Sequence, residues 1–426
     1  MMIAVLMISL LVFLLLGMPI YVSLGLGSFV SLLFFSDGNP DMLIQRFFAG
    51  IDTFGLMALP FFILAANLMD TGGLSSRILN VARALVGHVT GGMAMTTQLA
   101  SMFFGALSGS SPATVMAIGK IMNRELVRTG YSKSFISGLL ASSGSVSLII
   151  PPSITLIIYA AAVPNVSVGK LFMAGLGAGI VYGLVSIVYI YIYSRKNNIP
   201  RDSKASMKVL THSLVDAAWA LMIPVIILGG IYSGLCTATE AAGISAIYAA
   251  FVGLVIYREL DFSKIMQACA ATARSCGEIL VLVAAAQALG WMLTRGQVPQ
   301  MITTFIADNI TSKILFLLLV NLVLLVMGMF MEGVASIIIV APLIYPAAIA
   351  LGVDPIHLGT IMISNLAIGM FTPPFGMNIF VTSSITKADM VEMLPGIARF
   401  FIVDLIALLL ITYIPQISLF LPNLLK

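Results

Sequence analysis

Two clusters of small hydroxyl and glycine residues, each followed by a Pro-Pro pair, are where this chain could do chemistry. The first is Ser108-Gly109-Ser110-Ser111-Pro112, set inside an apolar run. Its pair is Pro151-Pro152, which follows Ser142-Ser143-Gly144-Ser145-Val146-Ser147. Proline in a helix interior removes a backbone donor, clashes with the carbonyl one turn earlier and pushes the preceding residue out of helical geometry. In an apolar medium the freed carbonyls must find another partner. Those of Gly144, Ser147 and Ile150 have no intact helical role, and the hydroxyls of Ser108 and Ser110 are candidates to face them. Five or six oxygens without a carboxylate suit a singly charged hard cation such as Na⁺, whereas Ca²⁺ would normally recruit Asp or Glu. The other reading is that small residues here only let helices approach closely.

The pattern returns later in the chain. Met331-Glu332-Gly333-Val334-Ala335-Ser336 interrupts one apolar run and Gly369-Met370-Phe371-Thr372-Pro373-Pro374 another. Ser110 precedes Pro151, and Glu332 precedes Pro373, by the same 41 positions, so one offset of 222 superposes both polar tips and both Pro-Pro pairs. Gly333, Ser336, Gly369, Phe371, Thr372 and Pro374 form the second candidate Na⁺ site. Matching interruptions in two halves mark a secondary transporter with its site at the repeat interface. Ser111, Arg295 and Glu332 are candidates for contact with a solute. Glu332 is an ionisable group at membrane depth, functional by default, or else a cap on the helix that starts near Gly333. Arg295 meets an anionic solute or snorkels at the membrane interface.

The elements that must hold these residues are membrane helices. Of 426 residues 60% are hydrophobic and 9% charged, against about 25% charged in a soluble domain, and mean hydropathy is +1.10. The apolar runs are continuous, which favours helices over a barrel. A net charge of +4, scattered along the chain, gives no nucleic-acid surface. Cys236, Cys269 and Cys276 have no metal-type spacing, and His88, His212 and His357 read as isolated interfacial or loop residues. The apolar N-terminus has no basic segment or cleavage site and reads as a retained helix.

In chain order, Met1–Leu16 and Met18–Phe35 read as helices, Ser36–Asp41 as a polar strip, Met42–Asp52 and Leu74–His88 as amphipathic helices and Gly55–Met69 as apolar. Gly91–Gly105 and Pro112–Met122 are short arms of a re-entrant hairpin, followed by a basic connection at Asn123–Lys133. Ser134–Ile150 and Pro152–Val163 are halves of a broken helix, and Lys170–Tyr193 is a span. Residues 1–194 form a first repeat, 195–211 a basic cytoplasmic linker and 212–426 a second repeat. There His212–Tyr232, Glu240–Tyr257 and Cys276–Leu293 are spans, Lys313–Phe330 and Gly333–Leu351 a second hairpin, His357–Phe371 and Pro374–Ile385 a second broken helix, and Ile397–Leu419 the last span. One crossing per span gathers the basic loops on one side, the cytoplasm by the positive-inside rule. The hairpins then open to opposite faces, so the repeats are inverted.

Phe104-Gly105-Ala106-Leu107-Ser108-Gly109-Ser110-Ser111-Pro112, Ile150-Pro151-Pro152-Ser153, Thr237-Ala238-Thr239-Glu240-Ala241-Ala242, Gly328-Met329-Phe330-Met331-Glu332 and Thr372-Pro373-Pro374-Phe375-Gly376 resemble the large membrane (M) subunit of TRAP transporters, the DctM-like family. The resemblance covers nearly the whole chain, with the sialic-acid branch nearest and C4-dicarboxylate carriers sharing the motifs. It implies an all-α integral membrane protein, an inverted-repeat elevator-type secondary transporter with two re-entrant helical hairpins and two Pro-Pro-broken helices, in the bacterial inner membrane. It implies Na⁺-driven uptake of an organic acid delivered by a periplasmic substrate-binding protein. The small TRAP membrane subunit is expected as a separate chain. It places the sodium sites on the serines before Pro112 with the break before Pro151, and on Gly333–Ser336 with the break before Pro374. The rival classes are a carrier without a binding protein, a channel and an embedded enzyme. No nucleophile–base pair or metal constellation supports the last.

Overall fold

The computed structural model describes residues 2–35, 40–201, 206–310 and 312–424. Residues 36–39 of the expected polar strip and 202–205 of the expected linker lie outside them. The first half holds α1 (Met2–Leu15), α2 (Ile20–Phe35), α3 (Pro40–Ile51), α4 (Ala58–Thr71), α5 (Leu74–Val86), α6 (Gly92–Ser108), α7 (Ser111–Arg128), α8 (Lys133–Ser145), α9 (Ile154–Ala162) and α10 (Val168–Lys196). The second half holds α11 (Met207–Tyr232), α12 (Ala238–Phe251), α13 (Phe262–Arg295), α14 (Val298–Asn309), α15 (Lys313–Phe330), α16 (Gly333–Ala350), α17 (Pro355–Gly369), α18 (Met377–Thr386), α19 (Met390–Tyr413) and α20 (Pro415–Leu424). Seven of the described helices, or eight if the bent α3–α4 pair is one span, are long and apolar enough to cross a membrane. The protein is a multi-pass membrane protein.

Helix bounds recur at the spacing seen in the sequence. Shifted by 222, α7 covers 333–350, the bounds of α16, and α8 and α10 begin where α17 and α19 begin. The same shift carries α3 and α4 onto 262–293, which α13 spans as one helix. In the first half the chain bends there by 58°.

Several elements differ from expectation. The first hairpin's second arm does not stop at Met122. It runs to Arg128, because Arg124, Glu125 and Arg128 sustain a helix as well as apolar residues do. At about 1.5 Å per residue the 18 residues of α7 are close to the bilayer core in length. α13 begins at Phe262 rather than Cys276, since Lys264 and Arg274 lower the hydropathy of its first turns without breaking them. α19 ends at Tyr413, and Pro415 opens a separate α20. Arg195 and Lys196 of the expected linker form the last turn of α10. His357 is neither interfacial nor in a loop. It is buried at the start of α17, its ring nitrogens 3.2 Å from Ser418 Oγ and 3.1 Å from the Thr412 carbonyl, because α20 folds back over α17.

Each hairpin packs its first arm against a broken helix by backbone contact. A Cβ on Gly105 of α6 would lie 2.8 Å from Ser147 Cα, and one on Gly328 of α15 would lie 2.9 Å from Gly369 Cα. Small residues are how membrane helices come this close. Gly369→Ala should therefore overpack the α15–α17 crossing at a cost of about 1–3 kcal/mol. Thermal unfolding of the purified protein in detergent measures this, and an unchanged midpoint would mean the crossing is looser than described.

Candidate functional site

The two hairpin tips and the two breaks meet at one cavity of about 380 Å³. One wall is Ser108–Ala113 at the first tip, Leu148, Ile154 and Thr155 at the first break, Glu332–Val334 at the second tip, and Met370 and Met377 flanking the second break. The facing wall is Ile63, Ala66, Asn67 and Asp70 of α4 with Ser275, Glu278, Ile279 and Leu282 of α13. Ser110 and Glu332, 222 positions apart in sequence, thus line the same space.

The first break ends α8 in a short 3-10 turn at Val146–Leu148 before Pro151. The Leu148 carbonyl accepts hydrogen bonds from Ser153 Oγ at 2.6 Å and Thr155 Oγ1 at 3.0 Å. No described hydrogen bond ends on the Ile150 carbonyl. Ser147 Oγ donates to the Gly144 carbonyl at 2.7 Å, so these two candidate ligands also bond each other, buried behind the cavity wall. The first tip leans directly on this segment. Gly109 sits at φ +58° at the tip, and a Cβ there would lie 3.0 Å from the Pro152 carbonyl oxygen, so glycine is required for both reasons. Ser108 Oγ is 2.9 Å from Thr114 Oγ1 and accepts from the Ser110 N–H at 3.3 Å. Ser110, whose Oγ takes part in no described hydrogen bond, lines the cavity.

The second break mirrors the first with different groups. The Met370 carbonyl accepts from the Asn378 N–H at 2.9 Å, and none of the described hydrogen bonds ends on the Phe371 or Pro374 carbonyls. Thr372 Oγ1 is committed to the Ile368 carbonyl at 2.7 Å, and the Gly369 carbonyl accepts the Thr372 N–H at 3.1 Å. Ser336 Oγ is buried without a partner. Gly333 starts α16 beside Leu148 and Thr155 of the first half. Glu332 occupies the cap position of α16, yet its side chain makes no capping hydrogen bond.

The three solute candidates separate. Glu332 lines the cavity. Ser111 does too, but its hydroxyl is engaged by Asn378 of α18, whose Nδ2 donates to Ser111 Oγ at 2.7 Å and to the Ala141 carbonyl at 2.8 Å. Arg295 is not among the lining residues. It lies at the end of α13 with its guanidinium 5.6 Å from the Trp291 ring, over which Arg46 sits at 5.9 Å. Asn378 and the α4–α13 wall were not found from sequence. An asparagine four positions after a Pro-Pro pair, inside an apolar run, is the signal that could have flagged the former.

Residues 7–417 match the family described as the tripartite ATP-independent periplasmic transporter, DctM component. The chain belongs to this family. It is the large permease of a TRAP transporter, a transport protein. It is 42% identical to the C4-dicarboxylate TRAP transporter large permease DctM of Pseudomonas aeruginosa over 94% of each chain. It is 35% identical to the sialic acid TRAP transporter large permease SiaM of Vibrio cholerae, over 96% of this chain and 95% of the relative. In fold it is similar to the crystal structure of the Alcanivorax borkumensis YdaH transporter, with a TM-score of 0.55 and 15% identity over 89% of this chain and 90% of that one. The DctM family signature thus spans both tips, both breaks and the facing α4–α13 wall.

Proposed function

We propose that this permease takes up a small organic acid anion in obligatory company with Na⁺, one ion at each broken helix. One observation carries the reading. The described residues that line the cavity include three carboxylates, Asp70, Glu278 and Glu332, and no Lys or Arg. An anion placed about 4 Å from a carboxylate is opposed by roughly 4 kcal/mol at the effective dielectric near a protein surface. Co-bound cations are the way to reverse that sign, and the uncommitted oxygens of Ile150, Phe371, Pro374, Ser336 and Ser110 are where they would bind. Coupling is then reciprocal: each Na⁺ raises affinity for the anion, and the anion for Na⁺, by the same factor.

In this reading residues 1–194 and 212–426 are inverted repeats in the bacterial inner membrane. Both hairpins, re-entrant, belong to a moving elevator unit with α19, which packs on α8, and α10, which packs on α6 and α19, against a scaffold that includes α2. A periplasmic binding protein delivers the solute, and a small membrane subunit completes the complex. Sialic acid is the substrate read from the motifs. The higher identity to the C4-dicarboxylate relatives favours a dicarboxylate as the second reading.

Reconstitution with a small TRAP subunit and a binding protein tests this. Uptake into liposomes should require the binding protein and an inward Na⁺ gradient together, falling to background when either is left out. Transport by the purified chain alone would overturn the tripartite reading, and uptake unchanged in choline would overturn the Na⁺ reading.

A further inference from the structure

We propose that Asp404 is a positioning residue for the first cation site, holding from behind the helix end that leads into the first break. The inference rests on the Na⁺ reading above. Asp404 is fully buried in the middle of α19. Its Oδ2 accepts hydrogen bonds from Ser142 Oγ at 2.5 Å and Tyr182 OH at 2.8 Å, and its Oδ1 accepts from Ser186 Oγ at 2.9 Å. Tyr182 OH also lies 3.0 Å from Ser145 Oγ. Ser142 and Ser145 sit on the last turn of α8, on either side of Gly144, whose carbonyl takes the Ser147 hydroxyl. Two hydrogen-bonded routes therefore run from one carboxylate to the Gly144–Ser147 segment.

The place of this group in the fold is as telling as its contacts. Tyr182 and Asp404 are 222 positions apart, the offset that relates the two halves, so they are the same position in each. Residues that touch their own repeat mate lie at the axis relating the halves. α10 and α19 do run in opposite directions here: Tyr182 meets Asp404, and further along α10 Tyr189 meets the earlier Phe400 at 5.1 Å. At that axis one half supplies a phenol and the other an acid, and the acid's bonds reach only the first break. The counterpart of Ser142 is Ser364, whose hydroxyl is buried without a partner.

A merely adhesive crossing needs no charge, since small residues and neutral side chains hold membrane helices together. A buried carboxylate is costly unless hydrogen-bonded, and in a membrane it marks function. Here three hydroxyls hold it in one orientation. It fixes the last turn of α8 against α10 and α19.

The test is a Na⁺ titration of thermal unfolding on the purified full chain in detergent, at constant ionic strength with choline as the replacement. A ligand that binds only the folded state raises the midpoint by mass action. Asp404→Asn and Ser142→Ala should each raise the Na⁺ concentration for half-maximal stabilisation about tenfold, the size expected when one buried hydrogen bond to a charged group is lost. Ser186→Ala, which removes a bond to Asp404 but no described hydrogen bond to α8, should lower the midpoint and leave the Na⁺ dependence within about twofold of wild type. If Asp404→Asn fails to fold, Ser142→Ala decides. Lower midpoints with unchanged Na⁺ dependence in Asp404→Asn and Ser142→Ala would overturn this inference and leave the Na⁺ reading standing. A wild-type chain stabilised no more by Na⁺ than by choline would overturn both.

Discussion

Ser110→Ala is expected to raise the Na⁺ concentration for half-maximal uptake by about tenfold or more. Ser110 sits at the first hairpin tip and lines the cavity, and its hydroxyl has no described hydrogen bond inside the chain, so its removal leaves no internal partner stranded. What it removes is one oxygen available to a cation. A lost ligand to a charged group costs roughly 1.5–3 kcal/mol, and each 1.4 kcal/mol is about tenfold in affinity. Folding should change little, because alanine needs no more space than serine. Ser108→Ala is a different case: Ser108 Oγ bonds Thr114 Oγ1 and the Ser110 N–H, so this change should loosen the tip as well as the site. Ser167→Ala is the control. Ser167 Oγ caps α10 by accepting the Lys170 N–H at 3.4 Å, so its loss should cost about 1 kcal/mol of stability and leave Na⁺ dependence alone. Uptake measured against Na⁺ for the three variants separates the effects. Equal Na⁺ dependence for Ser110→Ala and Ser167→Ala would mean that the serine cluster is packing and not a cation site.

How much of this was legible beforehand follows from which physics each feature obeys. The breaks and tips were readable because proline acts locally: Pro151-Pro152 and Pro373-Pro374 end helices wherever they fall, and the offset of 222 needs only the positions of the residues. The helix starts at Ser111 and Lys133 recur at Gly333 and Pro355, each within two residues of the expected place, whereas α19 starts at Met390 and not at the expected Ile397. Helix ends set by charged residues were misread, as at Arg128 and Phe262, because hydropathy registers membrane depth and not helicity. The facing wall was not readable at all. Asn67 and Asp70 end α4 and Glu278 lies in α13, and only the packing of α4 on α13, where Asn67 Nδ2 donates to Thr272 Oγ1 at 2.9 Å, brings them to one cavity. Arg295 shows the converse. Its type suits an anion, yet tertiary contact places it beside Trp291 and Arg46 and away from the cavity's lining. Asp404 stood in plain view as one acid in a long apolar run. Its partners Ser142, Tyr182 and Ser186 come from two other helices, which no local pattern could assign.

With two cations per solute, the charge of the solute fixes the electrical signature of transport. A carboxylic acid of ordinary acidity is ionised at neutral pH. A sialic-acid monoanion entering with two Na⁺ carries one net positive charge inward, and a C4-dicarboxylate dianion with two Na⁺ carries none. An inside-negative potential of 100 mV contributes about 2.3 kcal/mol for each charge moved, which is roughly fiftyfold in the attainable accumulation ratio. Uptake of a monoanion into proteoliposomes bearing the complete complex should therefore rise steeply when a potassium diffusion potential is imposed with valinomycin. Uptake of a dianion should reach the same ratio with or without it. The two proposed sites are what is at stake, because potential dependence together with a known solute charge counts the cations. A dianion whose accumulation follows the potential would require a third cation, and a monoanion indifferent to it would leave only one. Either result would remove one Na⁺ from, or add one to, the pair assigned to the breaks before Pro151 and Pro373. The count would then have to be rebuilt around the hydroxyls of Ser110 and Ser336 and the carbonyls of Ile150 and Phe371, which have no other described partner to satisfy.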